Sequence, residues 1–171
     1  MGFSVTMSGV IVLAVIFIAV ATSVSVIMKT YTTSIRSLEQ IIYKNVELER
    51  ATIYIKNAYI NATEGNLYVE LQNAGSLDLW NLPSTDFLII YWDSSLNSTK
   101  GELLSYGTNW TVKGIMTSNG SLYGYSGYIP PGQTALIVAY LPSNVDYSKD
   151  IRIDITNSYG FVTTYEIIGG G

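Results

Sequence analysis

Catalysis at neutral pH needs side chains that move protons, attack carbon or hold metals, and this chain is poor in them. It contains no histidine and no cysteine. That removes Ser-His and Cys-His nucleophiles together with the usual zinc ligands. The stretch Gly124-Tyr125-Ser126-Gly127 has neither the spacing nor the lysine of a phosphate-binding loop. Carboxylates remain, and a pair of them could serve as acid and base in glycoside hydrolysis. Asp86 and Asp93 flank an apolar run, and Asp146, Asp150 and Asp154 lie close together in the chain. Structural roles fit them better. Asp86 reads as a strand-entry residue, Asp93-Ser94 as a turn, and Asp150, Arg152 and Asp154 as a solvated face. Asp146 and Asp150 lack the spacing of a known calcium loop. The expectation is a protein without catalytic residues, cofactor or metal.

Recognition is better provided for. Phe87-Leu88-Ile89-Ile90-Tyr91-Trp92 is apolar at every position, whereas a strand with one wet face should alternate. Either the strand is covered on both sides, or one face docks on another subunit. In the second case Leu88, Ile90 and Trp92 form one candidate interface and Phe87, Ile89 and Tyr91 the other. The segment Tyr123-Gly124-Tyr125-Ser126-Gly127-Tyr128 could present Tyr123, Tyr125 and Tyr128 to a partner, or pack them over the end of a domain. Tyrosine gives large contact area at low entropic cost. Four N-x-S/T sequons, at Asn61, Asn97, Asn109 and Asn119, are candidate glycosylation sites.

These residues must be positioned by two kinds of element. Twenty-eight residues precede the first charge, Lys29, and the apolar run extends from about Val5 to Met28. As a helix that run is about 36 Å long, enough to cross a hydrocarbon core of about 30 Å. Its hydroxyls (Thr6, Ser8, Thr22, Ser23, Ser25) can bond back to the helix backbone. It exceeds an ordinary signal peptide and has no basic residue before it. The reading is one uncleaved transmembrane anchor. From Lys29 to Arg50 there is no proline or glycine, and Ile35, Leu38, Ile42 and Val46 recur at helical spacing. This predicts an amphipathic stalk, so residues 1–50 form anchor and stalk.

Residues 51–171 read as one all-β domain. In LYVELQ, Leu67, Val69 and Leu71 oppose Tyr68, Glu70 and Gln72; in DIRIDIT, Ile151, Ile153 and Ile155 oppose Asp150, Arg152 and Asp154. Further strands are predicted in TIYIKNAYI, DFLIIYW, ELLSY, NWTVKGI, QTALIVAYL and FVTTYEII, with turn residues between them. About 7–9 short strands of this kind predict an immunoglobulin-like antiparallel β-sandwich.

Two signals disagree on which side of the membrane holds that domain. Lys29, Arg36 and Lys44 follow the span and would keep it in the cytoplasm. The sequons and the Tyr/Thr-rich composition favour an exported domain, which is the reading adopted. A net charge of −4 and a pI near 4.6 leave no basic patch for nucleic acid.

Met1-Gly2-Phe3-Ser4 with the helix behind it, LYVELQNAGSLDL, IPPGQTALIVAY and IRIDITNSYGFVTTYEI together resemble the archaellum stator proteins of F type. The G-type partners and the archaellins share the general layout. The resemblance covers the whole chain and implies a structural role. It places a single-pass anchor in the archaeal cytoplasmic membrane and the sandwich below the surface layer. There the domain would bind the surface-layer protein, dimerise and meet a motor or stator partner subunit. Archaellins and type IV pilins carry a basic leader that is cut before the helix, and no such residue precedes it here. That ranks a stator above an archaellin- or pilin-like filament subunit. A G-type partner or a filament cap stays open as an alternative.

Overall fold

The structure is a computed structural model that describes residues 3–117 and 120–169, with side chains from residue 7 onward. The chain divides into two compact units, Met1–Asn45 and Val46–Gly171.

The first unit is helical. Helix α1 runs from Phe3 to Arg50, so its last turn belongs to the second unit. Its segment from Met7 onward is long and apolar enough to cross a membrane, with a mean hydropathy of 2.9 over an 18-residue stretch. Apolar side chains from Val10 to Met28 are exposed on every side of the helix. A helix apolar all round requires lipid or other helices around it. The hydroxyls inside the apolar run cost little, because Thr22 donates to the Ile18 carbonyl and Ser23 to the Ala19 carbonyl, at 2.9 and 2.8 Å. Beyond Lys29, Ile35, Leu38, Ile42 and Val46 form the predicted stripe, all exposed.

The second unit is an antiparallel β-sandwich. One sheet has the order β1-β2-β9-β6-β7, from β1 (Ile53–Asn61), β2 (Asn66–Asn73), β9 (Thr134–Tyr140), β6 (Trp110–Met116) and β7 (Leu122–Tyr123). The other has the order β11-β10-β4-β5, from β11 (Val162–Ile167), β10 (Ile151–Thr156), β4 (Asp86–Asp93) and β5 (Ser98–Leu104). A two-stranded ribbon pairs β3 (Leu79–Trp80) with β8 (Tyr128–Ile129).

Alternation puts one face of each sheet inside. Leu67, Val69 and Leu71 of β2 meet Ile151, Ile153 and Ile155 of β10 in a shared core with Phe87, Ile89 and Ile137. Phe87 and Trp110 pack edge to face at 5.7 Å across the two sheets. Pro130-Pro131-Gly132-Gln133 closes a turn ahead of β9, with Gln133 N–H donating to the Pro130 carbonyl at 3.2 Å. Gly132 takes φ +75, as the third position of a type II turn requires. All eight sequence-predicted segments contain strand. The fifth begins earlier than ELLSY, at Ser98, because its exposed edge carries polar residues that show no alternation.

Candidate interaction site

Strand β4 resolves the apolar hexapeptide into two faces with different fates. Phe87, Ile89 and Tyr91 are buried between the sheets, while Leu88, Ile90 and Trp92 are half-buried on the outer face. The inner three are therefore closed to any partner of the folded domain. Tyr91 donates to Glu102 Oε2 at 3.1 Å, and Lys100 lies 5.9 Å from the centre of its ring. Burial pushes its hydroxyl pKa above the ordinary tyrosine value. On the outer face Leu88 stands opposite Leu103, which is 60% exposed, and Trp92 stands opposite Thr99. Gly101 leaves space beside Leu88 and Ile90, where a methyl group would touch both at 3.8 and 3.9 Å. On the other flank Arg152 and Asp154 of β10 lie opposite Ile90 and Leu88. Arg152 Nε donates to Asp154 Oδ1 at 3.0 Å, and Thr164 adds a second bond at 2.7 Å. An apolar strip with a polar border has the composition of a protein-binding patch.

The three tyrosines of the Gly-Tyr-Ser-Gly region do not act together. Tyr123 is exposed on β7 and bonds Gln133 Oε1. Tyr128 stacks on Trp80, with ring centres 4.4 Å apart, and that indole is 53% exposed. Tyr125 turns inward against the core, and its buried hydroxyl has no hydrogen-bond partner among the described residues. Burial pushes its pKa up to about 12, with a smaller push from Tyr106.

The carboxylates have structural tasks. Asp93 is buried at the end of β4 and caps the following turn, accepting from Ser95 N–H at 2.9 Å, Leu96 N–H at 3.0 Å and the Ser95 hydroxyl. Asn144 donates to its second oxygen. The Ser95 hydroxyl contributes most to holding the Asp93 pKa at about 2, and Asn144 and the two backbone donors add to it against the cost of burial. Asp146 caps Ser148 in the same way, and its pKa is lowered chiefly by that hydroxyl. Asp150 accepts from Gly169 N–H, and Asp86 is exposed at the start of β4. Among the described residues no three acidic groups gather where they could hold a metal.

Three sequons lie among the described residues, and Asn119 lies outside them. Asn97 is exposed at the β4–β5 turn with φ +50. Asn61 is half-buried at the end of β1, paired with Asn66. Asn109 accepts from Ser105 N–H through its side chain at 3.3 Å.

The residues that sequence reasoning missed sit where the last turn of the helix enters the sandwich. Helix ends leave carbonyls without partners. Here the Arg50 carbonyl accepts from Ser76 and Leu77 N–H at 2.8 and 3.1 Å, and the Thr52 carbonyl accepts from Ala74 and Gly75. Gly75 is required, since a methyl group there would lie 1.9 Å from the Arg50 oxygen. Buried Asn73 organises this loop, donating to the Leu77 and Ile129 carbonyls and accepting from Gly75. Buried Asn157 donates to the Ala51 carbonyl at 2.6 Å and accepts from Tyr159 and Phe161 N–H. The only sequence signal was the Asn-to-Gly turn spacing, in Asn73-Ala74-Gly75 and Asn157-Ser158-Tyr159-Gly160.

No protein-family model matches the chain, and no curated protein matches it. Solved structures do. The archaellum periplasmic stator protein complex of FlaF and FlaG from Sulfolobus acidocaldarius aligns with a TM-score of 0.51 at 18% identity, over 67% of this chain and 87% of that one. FlaG from the same organism aligns with a TM-score of 0.51 at 18% identity, over 68% of this chain and 98% of that one. A chain of the archaeal flagellum of Methanospirillum hungatei strain JF1 gives a TM-score of 0.56 at 11% identity, over 96% of this chain and 93% of that one. At these identities the likeness is one of fold. The chain has the fold of archaellum stator and filament proteins, to which its sequence bears the resemblance described above.

Proposed function

We propose that this chain is a structural, non-catalytic component of the archaellum: a membrane-anchored stator subunit that holds the motor against the cell envelope. The helix fixes it in the membrane, and the sandwich lies outside, binds the surface-layer protein and dimerises. The observation that carries this reading is the root of the sandwich. The last helical turn continues into β1, and the Arg50, Ala51 and Thr52 carbonyls are all bound by loops of the β-domain. Within the second unit the last helical turn is therefore held to the β-domain by hydrogen bonds. Leu88, Ile90, Trp92 and Leu103 supply a face for a second copy or an envelope protein.

A second reading, a filament subunit, is supported by one observation. The likeness to the flagellum chain extends over the helix as well as the sandwich. The two roles differ in where the protein ends up. Cells are sheared, and filament and membrane fractions are compared by immunodetection and N-terminal sequencing. A stator subunit stays in the membrane fraction with its start at Met1 or Gly2, and chemical cross-linking there joins it to the surface-layer protein. Recovery from filaments, with a start inside Ser4–Gly9, overturns the stator reading in favour of the filament subunit.

A further inference from the structure

We propose that Asn97 is a site at which a glycan is attached to this domain, and that Asn109 is closed to attachment once the domain has folded. The two asparagines stand in equally good sequons, so the distinction comes from the fold. Transfer of an oligosaccharide needs the side-chain amide free and the residues after it accessible. Asn97 occupies the left-handed region at φ +50 and is exposed, and among the described residues its side chain has no hydrogen-bond partner. Ser98 and Thr99, which complete the sequon, are exposed as well. They begin β5, an edge strand that among the described residues pairs with β4 alone, which leaves its outer backbone groups open to an approaching enzyme.

The turn itself is held firmly. Asp93 accepts from Ser95 and Leu96, and Ser94 donates to the Asn144 carbonyl. Asn97 is thus presented on a rigid mount with its own amide unengaged. Asn109 differs in being half-buried, with its side-chain oxygen engaged. Its side chain accepts from Ser105, its carbonyl accepts from Tyr140 N–H at 2.7 Å, and Thr111 is half-buried within β6, flanked by β9. Asn61 is intermediate, half-buried but followed by exposed Ala62 and Thr63.

In chemical terms, one Asn97 Nδ2–H bond is replaced by a bond from Nδ2 to the anomeric carbon of the sugar. The donor is a lipid-phosphate-linked oligosaccharide. Its anomeric C–O bond breaks, the lipid phosphate leaves with the electron pair, and the amide proton passes to a base of the transferase. A glycan there would stand at one end of the outer apolar strip, since Thr99 lies opposite Trp92. It would also cover part of the open β5 edge, where strands of other chains could otherwise add.

The proposal rests on the outward orientation of the domain and not on the stator role. The test uses the full chain from native membranes, digested so that residues 61, 97 and 109 fall in separate peptides, with mass spectrometry of each. The expected result is a hexose-containing mass addition on the Asn97 peptide and none on the Asn109 peptide. The addition disappears in Asn97→Asp, which keeps a residue suited to positive φ, and in Thr99→Val, which leaves the acceptor in place. An unmodified Asn97 peptide, or modification of Asn109 in its stead, overturns it. Protease added to intact cells separates the causes. Cleavage of an unmodified sandwich refutes the glycan alone, whereas protection refutes the outward orientation as well.

Discussion

Asp93 and Tyr125 show how two buried polar groups can push stability in opposite directions. Asp93 is fully engaged by four donors, and its folded pKa of about 2 lies below the 3.8 of a free aspartate. A depressed carboxylate stabilises the fold above its unfolded pKa and loses that contribution as pH falls through the folded value. The midpoint of thermal unfolding should therefore drop between about pH 4 and pH 2. Asp93→Asn should be less stable at pH 7 and show a flatter dependence across that window, followed by circular dichroism of the full chain in detergent. Tyr125 is the converse, a hydroxyl taken out of water and given nothing in return. An unmade buried hydrogen bond costs about 1–3 kcal/mol. Tyr125→Phe should keep the ring's packing and raise stability by about 1 kcal/mol in denaturant titration. A loss of stability would mean that the hydroxyl has a partner, such as an ordered water.

At the scale of elements, the last helical turn is held by the β-domain within the second unit. A helix that ends in solvent frays over its last turn, because its carbonyls bond only water. Here loop residues 74–77 and Asn157 supply the donors, and Gly75 lets the loop approach closely enough to do so. Gly75→Ala should be among the most damaging single-methyl changes in the domain, because the neighbour is backbone and cannot rotate away. A cost of at least about 2 kcal/mol is expected from overpacking of this kind. Hydrogen exchange should show the amides of Ser76 and Leu77 losing protection first, ahead of those in β2. Equal loss across the domain would indicate a general fold defect and not a local joint.

For the whole molecule, the two sheets divide the labour. Both contribute one face to the core, but the outer face of the β4 sheet carries the apolar strip. Substitutions on alternate residues of a single strand should then separate folding from assembly. Ile89→Asp buries a charge in the core and should leave no folded domain, since an unpaired buried charge costs several kcal/mol. Leu88→Asp, one residue away on the outer face, should cost far less, about 1 kcal/mol, chiefly through the like charge of Asp154 opposite it. It should still abolish cross-linking to a second copy or to the surface-layer protein in membranes. A Leu88→Asp protein that assembles normally would move the partner site to another face, where Tyr59 and Tyr68, stacked at 5.0 Å on the first sheet, offer the next aromatic surface.

Much of this architecture was legible in the residues themselves. Periodicity depends on local backbone geometry, so the apolar run, the stalk stripe and the alternation of β2 and β10 could be read without tertiary information. The absence of histidine and cysteine likewise settled which chemistries had no residues to perform them. What the sequence could not determine was anything set by contacts between distant segments. Phe87-Leu88-Ile89-Ile90-Tyr91-Trp92 gave no sign of which face was covered, because six apolar residues carry no alternation; only packing against the other sheet assigned Phe87, Ile89 and Tyr91 to the core. The loop tyrosines could have faced a partner or packed over the end of the domain, and Trp80, Gln133 and the core each claim one of them. Asn73 and Asn157 carried no local sign of burial. Their burial follows from β2 and β10 ending beside the root of the helix, a proximity that 106 residues of separation between Ala51 and Asn157 keep out of any local pattern.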